Sequence, residues 1–204
     1  MTDPVATFAS AARSFADLAR EIPAGAWDGP GLGEWDLRSL VGHASRSLIT
    51  VSTYLKTTAD REDVTSAHDY YVQIQDYASN VGAADIVERG RQAGTNLGED
   101  PIATIDGLLS QVLDELATAG DPLIAVIGGL GIRLGNYLPT RTFELAVHGL
   151  DIARAVGISP AVPAEVLEDA TVLAARIAVA EGHGETVLLA LTGRGGLPPS
   201  FSIV

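Results

Sequence analysis

Residues 140–157 read TRTFELAVHGLDIARAVG, and within them lies the pattern that decides the fold. Arg141, Glu144, His148 and Asp151 recur at spacings of three, four and three, which sets them one above another on a single helix face. The rest of the circumference carries Phe143, Leu145, Ala146, Val147, Leu150, Ile152, Ala153 and Val156. A helix that is apolar nearly all round belongs in a core, and unpaired charges there are costly. The polar stripe therefore needs compensation. A bound cation is one candidate; internal salt bridges, Arg141 with Glu144 and His148 with Asp151, are the other. Gly157 follows the stripe at a C′ position, where a helix commonly ends.

Three more long helices are expected upstream. The first runs from about Pro4 to Glu21, with Asp3 as its cap, proline at its first position and Pro23 beyond its end. The second opens at Asp36, a natural N-cap, and runs to about Lys56 with Leu37, Leu40, Val41, Ala44, Leu48, Val51 and Leu55 in one stripe. The third starts at Asp100-Pro101 and stops before Gly120, lined by Ile102, Ile105, Leu108, Leu109, Val112, Leu113 and Leu116. Residues 58–99 are more polar, and short surface helices are expected around Tyr70–Ala78 and Ala83–Leu97. PLIAVIGGLGIRL reads as an extended connector, with a tight hairpin about Gly128-Gly129 as the alternative. After Pro160 a helix is expected over Pro163–Glu181, then two short strands, ETVLLALTGR and PSFSIV, about a Gly-Pro turn. The fold class is thus mainly α: an antiparallel four-helix bundle over residues 1–157, and a short α/β tail over 158–204 made of one helix and a two-strand extension.

Composition narrows the function. A chain of 204 residues forms one domain, or one domain with a small appendage, and buries roughly 70% of its unfolded surface. It has no cysteine, so it holds no disulfide, thiolate metal site or cysteine nucleophile, which suits a reducing cytoplasm. A net charge of −13 with dispersed Lys and Arg argues against nucleic acid and anionic membrane surfaces. No apolar run reaches the roughly 18 residues of a spanning helix, and the N-terminal residues lack the basic and apolar regions of a secretory signal. The expected location is the cytoplasm. The expected partners are small molecules, and a homodimer built on an exposed helix pair is compatible with such a bundle.

Glu144 and His148, an i, i+4 pair, can converge on one point beside their helix. Two ligands there and a third from a facing helix would form a His₂Glu set for zinc or a similar divalent ion, with one position left open. Of the other histidines, His68 lies in the polar excursion and His183 in a Gly-His-Gly loop. His43 alone sits on a core-forming helix, which makes it the natural third ligand. Arg141 and Asp151 are placed to orient the ligands or to meet an anionic substrate.

GEWDLRSLVGHASRS, residues 33–47, and RTFELAVHGLDIARAVG, residues 141–157, resemble two signatures of the mycothiol-dependent maleylpyruvate isomerase family, within the DinB-like superfamily of metal-binding four-helix bundles. The resemblance covers about residues 4–157 and implies a DinB-like bundle. It also implies that His43, Glu144 and His148 are the metal ligands, with water as the fourth. The implied cofactors are a divalent metal (zinc, or nickel as the second choice) and mycothiol as thiol cosubstrate. The implied chemistry is isomerisation or S-transfer on a small electrophile, using a thiol deprotonated at the ion. The family's isomerase has a larger C-terminal domain, whereas about 45 residues follow the bundle here, so a broader thiol transferase is as plausible as turnover of maleylpyruvate. Arg194, in LTGRGG, is read either as a cofactor-side cation for a carboxylate or as a surface turn. A non-catalytic metal-binding bundle with a regulatory or stress role is the alternative function, and a metal-free scaffold is a third.

Other signals carry less. GPGLG and GRGG neither follow a strand nor open a helix as phosphate loops do. Trp35 reads as core or as a staple at the entry of the second helix, Tyr54, Tyr70, Tyr71 and Tyr77 as half-buried packing with a pocket mouth as the alternative, and Ser45, Ser47 and Ser52 have no identifiable base.

Overall fold

The computed structural model describes residues 3–78 and 83–203. Four long helices form its body: α1 (Pro4–Glu21), α2 (Leu37–Tyr54), α5 (Pro101–Ala119) and α6 (Leu134–Val156). Between α2 and α5 lie α3 (Ala67–Ala78) and α4 (Ala83–Thr95). The long helices close into a ring, α1 on α6, α6 on α2, α2 on α5 and α5 back on α1. Inside it Phe8, Phe15, Leu40, Leu48, Val112 and Ile152 are buried, each contributing about 1.5–3 kcal/mol relative to exposure.

The starts are set locally. Asp3, Asp36 and Asp100 each accept a hydrogen bond from a first-turn backbone N–H, from Val5, Ser39 and Ala103, which satisfies a donor that the helix leaves orphaned. Gly157 closes α6 at φ 71°, ψ 28°, a left-handed conformation that glycine adopts without strain. No helix among the described residues is long and apolar enough to cross a membrane.

The structure departs from the sequence reading at four places. Residues 123–133 are a hairpin rather than a connector: β1 (Leu123–Ala125) pairs antiparallel with β2 (Gly131–Arg133). Gly128 and Gly129 turn the chain at φ 70° and 76°, and Ile132 also bridges Val64. The polar-striped helix begins at Leu134, upstream of Pro139. Asp121 accepts a hydrogen bond from Gly135 N at 2.7 Å, holding a first turn that the internal proline made hard to foresee.

The third departure is the placement of α3 and α4 against the bundle. Tyr70 and Tyr71 of α3 are buried, and α4 approaches α2 so closely that a Cβ on Gly42 would collide with the Ala93–Gly94 backbone. Tyr77 and Val204 lie outside the residues whose side chains are described.

The fourth concerns the tail. It carries no strands among its described residues: α7 (Ala164–Ala180) is followed by α8 (Gly184–Leu191), which occupies the stretch expected to be the first strand, and residues 201–203 are irregular. Leu188, Leu189, Ala190 and Leu191 are strong helix formers, and none of them pairs with the two-stranded hairpin. α7 packs on α1, α3 and α6 and buries Val166, Leu173 and Ile177.

Candidate metal centre

Two neighbouring faces of the ring meet at the polar stripe. α2 contributes His43, and α6 contributes Arg141, Glu144, His148 and Asp151. One ligand-type atom from each of His43, Glu144 and His148 lies within 4.8 Å of the others. The His43 and His148 rings meet edge to face with centroids 4.9 Å apart, and His148 Nε2 is 3.4 Å from Glu144 Oε2. Two ligand atoms on a tetrahedral ion with bonds of ~2.1 Å stand about 3.4 Å apart. The Glu144–His148 pair already has that separation, and the widest spacing needs only small side-chain adjustment. Two imidazoles and a carboxylate make a donor set suited to zinc and its neighbours.

Each of the three is held from behind. Asp151 Oδ2 is 3.4 Å from His148 Nδ1, leaving Nε2 to face Glu144. The Tyr71 hydroxyl stands 2.7 Å from Glu144 Oε1 and 3.2 Å from the Thr140 carbonyl, so the two Glu144 oxygens have separate neighbours. The Trp35 ring lies 4.7 Å from that of His43, and its Nε1 donates to the Val87 carbonyl at 3.0 Å. Among the described residues, His43 makes ring contacts and no hydrogen bond, which leaves its nitrogens open.

The electrostatics separate the two histidines. Burial and the neighbouring His148 charge push His43 down to about 4, so its ring is neutral at pH 7. Burial works against charge on His148 too, but Asp151 and Glu144 outweigh it and raise that ring to about 9. Glu144 is likewise disfavoured by burial, yet His148, Arg141 and Tyr71 together lower it to about 2.

The residues singled out from the sequence thus divide. His43, Glu144 and His148 come together, with Arg141 and Asp151 one turn to either side. Arg194 does not join them: it is exposed beyond α8, donates to the Thr192 carbonyl at 3.2 Å and does not line the cavity beside the triad. His68 bonds Ser66, and the His183 ring packs on Phe201. Tyr71 as a partner of Glu144 was not foreseen. Its one signal was the Tyr70-Tyr71 pair in an otherwise polar stretch.

A ring of long helices enclosing a two-histidine, one-carboxylate cluster defines a metal-capable helical bundle. Residues 8–153 match the family described as the mycothiol maleylpyruvate isomerase N-terminal domain, and the chain belongs to that family. No curated protein and no solved structure matches it.

Proposed function

We propose that the chain is a divalent-metal-dependent enzyme that activates a low-molecular-weight thiol, mycothiol first, for isomerisation or S-transfer on a small electrophile. The observation that carries this reading is the convergence of His43, Glu144 and His148 in a member of a mycothiol-linked family. Zinc is the preferred ion and nickel the second. When bound, the ion supplies Lewis acidity that lowers the pKa of a thiol or water.

The residues of the chain supply the rest. Asp151 holds the His148 ring with Nε2 turned inward. Tyr71 occupies Glu144 Oε1 and keeps Oε2 for the ion. Trp35 packs on His43 and excludes water from that side. Because the chain has no cysteine, the thiol arrives with the cosubstrate, and in a cytoplasm it arrives reduced.

The test is elemental analysis of untagged protein, followed by mycothiol-dependent turnover of electrophiles, beside a His43→Ala/His148→Ala variant. Near-stoichiometric metal and turnover, both lost in a still-folded variant, are expected. Metal without thiol-dependent turnover would leave a binding bundle. No metal after zinc or nickel incubation would reduce the stripe to a salt-bridge network.

A further inference from the structure

Eleven large apolar side chains stand exposed among the described residues, and seven of them, from Leu167 to Leu197, belong to the tail. Scattered singly such residues are ordinary; gathered, they mark a contact surface. On α7, Val172, Ala175, Arg176, Val179 and Ala180 share one outward face and with His68 line a shallow recess of about 430 Å³. α8 stands beside it. A Cβ on Gly184 would meet Val179 Cγ2 at 3.0 Å, so the first turn of α8 abuts the rim of the recess. Leu188 and Leu191 continue the face that Gly184 begins, and both project into solvent, 63% and 72% exposed. No residue of α8 is buried. A helix of eight residues is marginal without packing, and these leucines lack cover.

The surface complements itself. It offers a recess on one helix and projecting leucines on the next. A second copy turned about a twofold axis can seat its α8 in the recess of the first and receive the reverse contact. Charge fits the same pairing. Arg176 lines the recess, and Glu185 lies one turn before Leu188 on α8. Among the described residues neither has an ion pair within the chain, so reciprocal contacts between them would fix the register.

The area fits too. Val172 and Val179, 42% and 65% exposed, and the two leucines present on the order of 450 Å² of apolar surface, the size at which a patch is commonly functional. Doubled by the twofold axis and widened by Ala180, Arg176 and Glu185, the buried area passes about 1,000 Å², which a specific interface needs.

We propose that the outer face of α7 and α8 is the interface of a homodimer. Leu188 and Leu191 of each copy seat against Val172 and Val179 of the other, and Arg176 of each pairs with Glu185 of the other. No part of this contact rests on the metal-enzyme reading above.

The test is sedimentation equilibrium of the full chain from about 1 to 100 µM, the range in which an interface of this size dissociates. A monomer–dimer equilibrium that saturates at twice the chain mass is expected. Leu188→Glu and Val172→Glu, both at exposed positions, should each weaken it at least about tenfold with the helical circular dichroism unchanged. Should Val172→Glu lose its helical signal, Leu191→Glu takes its place. Leu32→Glu, at a position 42% exposed before α2, is the control and should leave the equilibrium alone. Arg176→Glu and Glu185→Arg should each weaken the dimer several-fold, and the two together should restore it to within about threefold.

A chain that stays monomeric at about 100 µM overturns the proposal. So does a dimer indifferent to Leu188→Glu and Val172→Glu, or a double charge reversal no better than the single ones. Mass that keeps rising past the dimer overturns the twofold arrangement, because a face that meets a different face of the next copy need not close.

Discussion

Nδ1 of His148 lies 3.4 Å from Oδ2 of Asp151, three residues further along α6. The same ring turns Nε2 toward Glu144, at 3.4 Å on its other side. The contact with Asp151 is one of charge and falls short of hydrogen-bond geometry; a carboxylate facing one nitrogen of a histidine while the other faces a cation favours one ring orientation and makes a more basic ligand. Asp151→Asn keeps the size of that partner and removes its charge. We expect zinc affinity to fall about 10–100-fold with the helical circular dichroism unchanged, as read by competition against a chromophoric chelator. Unaltered affinity would show that Asp151 serves only the salt-bridge stripe.

The three candidate ligands differ in the protons they hold without metal. His148 is raised to about 9, behind two carboxylates that outweigh its burial, against roughly 6.5 in an unfolded chain. Its contribution to metal-free stability is therefore complete below about pH 6.5 and is lost as pH rises through 9. His43, lowered to about 4 by burial first, and Glu144, lowered to about 2, need shed no proton at pH 7. Metal uptake should then release about one proton per ion, and apparent zinc affinity should rise about tenfold per pH unit between pH 6.5 and 8.5. Calorimetry in buffers of different ionisation enthalpy reads both quantities. An affinity flat across that range would refute the assignment of the proton to His148.

How much of this was legible in the sequence follows how local each determinant is. Asp3-Pro4, Asp36 and Asp100-Pro101 act within their own first turns, so three helix starts could be read directly. The stripe on α6 was equally plain, since its four residues share one element. His43 was reachable because its helix was visibly amphipathic and the other histidines lay outside the core pattern. The hairpin was ambiguous because β1 and β2 have three residues each and are completed by Val64 and Thr57, some 70 positions upstream. Thr57 Oγ1 contacts both the N–H and the carbonyl of Ala125. Tail residues 185–191 contain a short apolar run that fits strand or helix, and periodicity alone does not arbitrate. Tyr71 was hidden by distance, 73 residues from the carboxylate that it contacts.

That contact is testable by itself. Tyr71→Phe removes only the hydroxyl and leaves Glu144 Oε1 without its 2.7 Å partner. A buried acceptor so exposed costs about 1–3 kcal/mol. The metal-free chain should lose about that much by urea denaturation, while a bound ion, by engaging the carboxylate, should recover part of it. A loss that is identical with and without zinc would place the effect on the Thr140 carbonyl instead of the metal centre.

The last prediction concerns a residue that touches none of the three candidate ligands. Gly90 sits on α4 against Trp35, where a Cβ would come within 2.3 Å of the indole atoms, and the Trp35 ring in turn packs 4.7 Å from that of His43. Gly90→Ala must therefore push the indole toward His43 or move α4 outward, which strains its bond to the Val87 carbonyl. Overpacking of this kind costs about 1–3 kcal/mol, and the displacement reaches a candidate ligand. We expect a lower melting temperature, altered tryptophan emission and a reduced zinc affinity together. Gly107→Ala on α5 is the matched control, because a Cβ there meets nothing within 4 Å. An alanine in that helix interior should stabilise the chain by about 0.5–1 kcal/mol and leave zinc binding alone. If Gly90→Ala lowers stability while zinc affinity stays at the control value, Trp35 packs the α2–α4 seam but does not position His43.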